Sequence, residues 1–215
     1  MFFIEIPNFS EALAYGDCST IWEEHPNYFT QESIFDLLNA KGYEVIESKL
    51  YDFSGGSICV LARKIDNAKK IIIYKKELSL PLYKEFGDTV SMYAAKLNSA
   101  IKKVKASDYA VYLYGTGSRA CTLVNGLGIQ GIDCAVDDQK EKQGYYMPGC
   151  CLKINSFDEI VNTSKKAVFL LAVNHENEEK VSKKIQKMYG ENAKIISLFA
   201  PNDIFNELEK MEKYL

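Results

Sequence analysis

The chain has 215 residues, 47% hydrophobic and 26% charged, with a net charge of −3. That length suits one large or two small domains, and the composition is that of an ordinary globular protein. A slightly acidic balance argues against nucleic acid as a partner. The longest apolar runs fall short of the ~20 residues that span a bilayer, so no membrane is expected.

Phe2–Ile6 reads as a strand ended by Pro7. Its residues show no basic, apolar leader pattern, so no targeting segment is expected from them. Residues 8–16 read as a loop or a short helix. The segment Ile21–Phe29 (IWEEHPNYF) holds His25, one of only two histidines, after two carboxylates and among aromatic residues. A carboxylate beside a histidine stabilises the imidazolium, and the ordinary histidine value of about 6.5 suits a general base. The bland alternative is that His25 merely ends a loop before a helix.

Thr30 precedes apolar residues at helical spacing through Ala40. Thr30 can cap that helix, although Thr30-x-x-Ser33 is not a full capping box. Gly42 stands where a helix C′ residue should. Tyr43–Tyr51 reads as a strand, Gly55-Gly56 as a tight turn and Ser57–Arg63 as a second strand. Residues 64–80 form a polar linker in which Lys69–Tyr74 has extended character. From Leu82 to about Val104 a helical period runs through Phe86, Val90, Tyr93, Leu97 and Ile101. Three regions result: 1–65, a linker and connecting helix over 66–104, and 105–215.

The remainder alternates strand and helix. Strands are expected at Ala110–Tyr114, Gly131–Val136, Ala167–Val173 and Lys194–Leu198. Helices are expected at Ser118–Leu127, near Phe157–Thr163, at Glu176–Tyr189 and over Asp203–Tyr214. Such alternation implies a mostly parallel sheet with right-handed crossovers.

Gly115-Thr116-Gly117-Ser118 lies between a strand and a helix. Glycines let the backbone approach a ligand, and the amides of a helix N-terminus favour an anion such as phosphate. A G-x-G without a third glycine is weak evidence for a dinucleotide. Ser118 could instead simply cap the helix, and Arg119 could lie in solvent. Asp137-Asp138 and Asn174-His175 end later strands, where ligands of doubly wound folds sit. Asp137-Asp138 is also ordinary turn chemistry, and His175 suits a helix start or an exposed position.

Six cysteines occur, none in a C-x-x-C pair, and the vicinal Cys150-Cys151 is no zinc clamp. No metal site is expected. Most of the cysteines read as small core residues, and a reducing, cytoplasmic compartment is expected.

These motifs together resemble the second half of the S-adenosylmethionine-dependent sugar C-methyltransferases. The signature Tyr-His-Glu-His-Phe-x-Tyr-Phe of that family is matched by Glu24, His25, Tyr28 and Phe29. Trp22 stands at its tyrosine, Glu23 at its first histidine, and Ser54 at the histidine of its His-Gly-Gly-Ser turn. Tyr114–Ser118, Ile132-Asp133, Val136–Asp138, Lys142–Gly149 and Leu170–Asn174 follow in the family's order. The resemblance implies an α/β fold: a remnant of a methyltransferase sheet, with Phe2–Ile6 as its fifth strand, plus a Rossmann-like three-layer C-terminal lobe.

It also implies carbon methylation of a nucleotide-linked deoxy-keto-sugar. His25 would be the base and Glu24 its neighbour. Tyr28, Gly55, Gly56, Ser57, Gly115, Gly117, Ser118, Asp137 and Asn174 would line the substrate side. The family's zinc module and glycine-rich cofactor turn have no counterpart here. The chain alone is therefore expected not to bind S-adenosylmethionine, and a partner chain would supply that part. The alternative is a non-catalytic module that binds a nucleotide-sugar or another protein.

Overall fold

A computed structural model of the chain describes residues 1–21, 25–52, 56–65, 80–161, 166–199 and 203–213. The expected extended segment Lys69–Tyr74 lies outside the described residues. Two sheets organise the molecule, one of three strands and one of five.

The first sheet is antiparallel. β1 (Phe2–Pro7) and β2 (Tyr43–Tyr51) both pair with β3 (Ser57–Lys64), giving the order β1-β3-β2. The three strands are contiguous, as expected. Ile58, Val60 and Ala62 of β3 point to one face and are buried there, with the half-buried Ile4 and Ile6 packed against them. Helix α2 (Gln31–Ala40) covers that face with Ile34 and Leu38. Its start corrects one expectation: a complete capping box is present. The Ser33 N–H donates to the Thr30 hydroxyl at 3.3 Å, and the Thr30 N–H donates to the Ser33 hydroxyl at 2.9 Å. A serine hydroxyl is long enough to close the reciprocal pair usually made by Glu or Gln.

Residues 8–16 resolve into helix α1 (Phe9–Tyr15), capped by the Asn8 side chain accepting from the Ser10 N–H. Gly16 ends it with φ +69°, and a Cβ there would meet Thr89 Cγ2 at 2.7 Å. The chain therefore turns sharply into a 3-10 turn, Cys18–Thr20, capped by Asp17.

Helix α3 (Leu80–Ala106) leads into the second sheet. Its strands are β4 (Ala110–Tyr114), β5 (Cys134–Val136), β6 (Ile154–Asn155), β7 (Ala167–Leu171) and β8 (Ala193–Ser197). They run parallel in the order β6-β5-β4-β7-β8. Between and after them come α4 (Ser118–Gly126), α5 (Phe157–Val161), α6 (His175–Tyr189) and α7 (Ile204–Lys213).

Alternation along the strands makes two cores. Val111, Leu113, Ala135, Val168, Leu170 and Ile196 face α3, α4 and α7. Tyr112, Tyr114, Val136, Phe169 and Leu171 face α5 and α6. The result is an α/β fold with a three-layer lobe. The second half of α3 belongs to it, since Tyr93, Leu97, Ile101 and Val104 sit in the first of these cores.

Three further details differ from the sequence reading. The expected strand Gly131–Val136 shortens to Cys134–Val136, because Gly131 has φ +82° and is not extended. The two-residue β6 had no periodic signal at all. The cysteines are less buried than expected. Only Cys134 is fully buried, four are intermediate and Cys151 is exposed, all as free thiols. Among the described residues no helix is long and apolar enough to cross a membrane, and no cluster of three or more ligating side chains could hold a metal.

Candidate functional site

The chain leaves β4 for β5 on one side and later returns to β7 on the other. The crevice where the strand order reverses is the usual ligand position in open parallel sheets. A cavity of about 880 Å³ opens there. Its walls include Gly115, Gly117, Ser118 and Arg119 after β4, Asp137 and Asp138 after β5, and Asn174, Lys180 and Lys184 from the β7–α6 side.

Gly115 is demanded by geometry. Its φ is +103°, and a Cβ would stand 2.5 Å from the Ala172 carbonyl oxygen. Its N–H donates to the Val136 carbonyl at 2.8 Å, and the Ala172 N–H donates to the Tyr114 carbonyl at 2.8 Å. The three strand ends are thereby drawn together. Gly117 is the N-cap of α4 in extended conformation, with no side chain capping the helix. Ser118 is the first helical residue and does not act as that cap. Asn174 is the N-cap of α6, again with no side-chain cap. Two helix N-termini, each carrying positive partial charge, thus end on one cavity that two lysines also line. The arrangement suits a polyanion.

Asp137 serves the turn itself. Its carboxylate accepts from the Thr116 N–H at 3.0 Å, from the Thr116 hydroxyl, from the Gln139 N–H at 2.9 Å and from Lys142 Nζ at 3.3 Å. Burial opposes its ionisation, but the bonds from Thr116, Gln139 and Lys142 outweigh burial and hold the carboxyl below the ordinary range. Beside it, the Tyr114 hydroxyl donates to Asp138 at 2.9 Å, and Lys184 Nζ donates to the same carboxylate oxygen at 2.6 Å. Burial first, and then the Asp138 carboxylate, pushes the Tyr114 phenol well up, so it stays a neutral donor.

Arg119 does not lie in solvent, which corrects the alternative raised above. Its side chain is 7% exposed and pairs with Asp17, 1% exposed, at 2.9 Å. Its Nε donates to the Ser19 hydroxyl at 3.1 Å, and its guanidinium lies 4.1 Å over the Phe199 ring. Sequence reasoning missed this because the partner is 102 residues away. The one usable signal was an arginine directly after a glycine-rich helix start. Beside the pair, burial and then Asp17 push the Cys18 thiol up to about 11.

The other expected residues gather at the end of β1. The Phe9 N–H donates to the Phe29 carbonyl at 2.9 Å, which brings the His25 segment against α1. Tyr28 packs on Phe9 at 4.9 Å between ring centroids, and His25 meets the Tyr28 ring edge-on at 6.3 Å. His25 Nδ1 lies 3.0 Å from the Thr20 carbonyl. A carbonyl only accepts, so Nδ1–H is the donor of this contact. Gly56 lies against the Glu11 carboxylate, and its carbonyl accepts from the Asn8 N–H. Burial and then Asp52 push the Glu11 carboxyl above its ordinary value, so Glu11 is a further titratable group that the sequence did not flag. Ser57 opens β3 opposite Pro7. Glu24, Gly55 and the substituted Trp22 and Ser54 lie outside the described residues.

The expected residues therefore fall into two groups. Gly115, Gly117, Ser118, Asp137 and Asn174 share the cavity, whereas His25, Tyr28, Gly56 and Ser57 are not among its lining residues. His175 begins α6 and is half exposed, with Nδ1 3.4 Å from Glu178.

Residues 52–199 match the C-methyltransferase C-terminal domain family. Among curated proteins, C-methyltransferase NovU of Streptomyces niveus is 29% identical over 187 residues, covering 81% of this chain and 44% of the relative. The chain thus spans less than half the length of that relative.

Proposed function

The chain belongs to the C-methyltransferase C-terminal domain family, and from that premise we propose that it is the substrate-holding portion of a sugar C-methyltransferase. The observation that carries the reading is the cavity between the α4 and α6 N-termini, with Lys180 and Lys184 in its wall. A diphosphate placed there would meet helix amides and ammonium groups, and a nucleotide-linked deoxy-keto-sugar offers such a diphosphate between base and sugar.

Chemistry on the sugar falls to His25. With its Nδ1 proton given to the Thr20 carbonyl, Nε2 takes a proton from the carbon next to the sugar ketone. The C–H bond breaks, the N–H bond forms, and the electron pair spreads onto the ketone oxygen as an enolate. Base assistance of this kind is worth on the order of 10²–10⁴-fold. Glu24 is assigned as the neighbour that stabilises the imidazolium.

The residues present do not fit S-adenosylmethionine. In the three-stranded sheet, β1 enters α1 through Pro7-Asn8, with no glycine turn, and β2 and β3 form an antiparallel pair. We therefore assign the cofactor to a separate part. β1 supports this: among the described residues it pairs only with β3, and its Phe2 and Phe3 are exposed. An open apolar edge invites a further strand. The setting is cytoplasmic in this reading.

The alternative is a non-catalytic nucleotide-sugar-binding or protein-interaction module. Its specific support is that His25 does not line the cavity. Calorimetry separates the readings in two steps. Thymidine diphosphate and a thymidine-diphosphate deoxysugar are expected to bind the full chain, and S-adenosylmethionine is not. A cofactor dissociation constant near 1 μM, about −8 kcal/mol, refutes the split assignment. With a cofactor-binding part added, His25→Gln is expected to cost at least about tenfold in turnover. Unchanged turnover leaves the module reading standing.

A further inference from the structure

We propose that Arg119, anchored by Asp17, is a positioning residue that couples occupancy of the cavity to the His25 segment. The proposal rests on the reading of that cavity as a nucleotide-diphosphate site. Arg119 sits in the first turn of α4, where a cation faces the positive end of the helix. A buried cation there needs compensation, and the compensation comes from outside the five-stranded lobe. Asp17 supplies it with one carboxylate oxygen at 2.9 Å, while its other oxygen accepts from the Ser19 N–H at 2.8 Å. Ser19 in turn accepts a hydrogen bond from Arg119 Nε–H through its hydroxyl oxygen at 3.1 Å. Guanidinium, carboxylate and serine form a closed ring that pins the 3-10 turn to α4.

The next residue carries the link onward. The Thr20 carbonyl is the partner of His25 Nδ1 at 3.0 Å. From cavity wall to imidazole the path is Arg119, Ser19, Thr20, His25. On the cavity side, Arg119 Nη1 reaches Asn174 Oδ1, on the α6 N-cap, at 3.5 Å, the outer limit of a hydrogen bond. An anion arriving between the two helix starts competes with Asp17 and Asn174 for the same planar fork. Any shift of the guanidinium is handed to the turn that holds His25. A passive staple would also explain the burial, but it would not make the imidazole respond to a ligand.

The chain has two histidines, so two ring signals suffice in NMR. His175 starts α6 beside the cavity and reports occupancy, and His25 reports coupling. Full-length protein is titrated with thymidine diphosphate at fixed pH, with signals assigned through His175→Gln. In the native chain both signals should move with one dissociation constant. In Asp17→Asn, where the competing carboxylate charge is gone, the His175 signal should still saturate with a midpoint no weaker than native, while the His25 response at saturation falls by about threefold or more. If near-ultraviolet circular dichroism shows that Asp17→Asn is not native, Ser19→Ala removes the relay hydroxyl and keeps the ion pair, with the same expectation. A silent His25 in the native chain, or an undiminished His25 response in the variants, overturns the coupling alone. No movement of either signal and no binding heat overturns the nucleotide reading, and the coupling with it.

Discussion

Gly115→Ala tests the assembly of the cavity directly. At φ +103° an L-residue is strained by about 1–3 kcal/mol. The new Cβ would also lie 2.5 Å from the Ala172 carbonyl oxygen and 2.9 Å from Val173 Cγ1. Ordinary van der Waals contact begins near 3.4 Å, so the β4 and β7 ends must separate. One hydrogen bond crosses that junction, from the Ala172 N–H to the Tyr114 carbonyl. It is worth about 1 kcal/mol net. The sum is about 3 kcal/mol, which moves a urea midpoint down by ~1–2 M at typical slopes. Circular dichroism during urea titration measures it. Gly117→Ala is the internal control: nothing lies within 4 Å of its would-be Cβ and its φ is −73°. That variant should fold within about 0.5 kcal/mol of native while binding thymidine diphosphate more weakly, since the methyl projects into ligand space. Native stability in Gly115→Ala, or equal damage from both substitutions, refutes the reasoning.

Asp17→Ala strands the buried Arg119 guanidinium and should cost about 3–5 kcal/mol by chemical denaturation. Adding Arg119→Met should restore part of that loss, and a silent single substitution means the pair is not the anchor. The Asp137 carboxyl is held below its ordinary value, so it adds stability above that value. The contribution is lost as pH falls below about 3.9 and through the lower folded value. Asp137→Asn should flatten the acid limb of a stability–pH curve, and an unchanged limb contradicts the assignment. Thr30→Ala removes half of the capping box and should cost about 1 kcal/mol. Hydrogen exchange should rise first in Gln31–Ala40, and uniform acceleration across the chain would argue against a local cap.

Much of this architecture was legible because each long element carries its own period. Ala110–Tyr114 and Ala167–Leu171 are short apolar runs bounded by turn residues, and both became central strands. Helix α6 announced itself through Val181, Ile185 and Tyr189 at helical spacing. Two-residue β6 was invisible because so short a strand has no period, and its place is set by pairing with β5. Gly115 was readable because its conformation is local. Arg119 was not, because nothing near it in sequence names Asp17. Asp137 was read as facing a ligand, and its actual partners, Thr116 and Gln139, could be seen only once the turn had closed. The gap between the His25 group and the cavity depends on how two sheets dock, which no local pattern encodes.

The Asp17–Arg119 tie also bears on folding order. A contact spanning 102 residues closes a large loop, and that closure entropy must be met before the contact returns anything. The antiparallel β2–β3 pair and the helices need only near neighbours, and β4 finds β5 within about 25 residues of chain. The Arg119 guanidinium reaches the N-terminal turn only once α4 has formed on β4. It follows that the turn Cys18–Thr20, which carries the His25 partner, is among the last parts to lock.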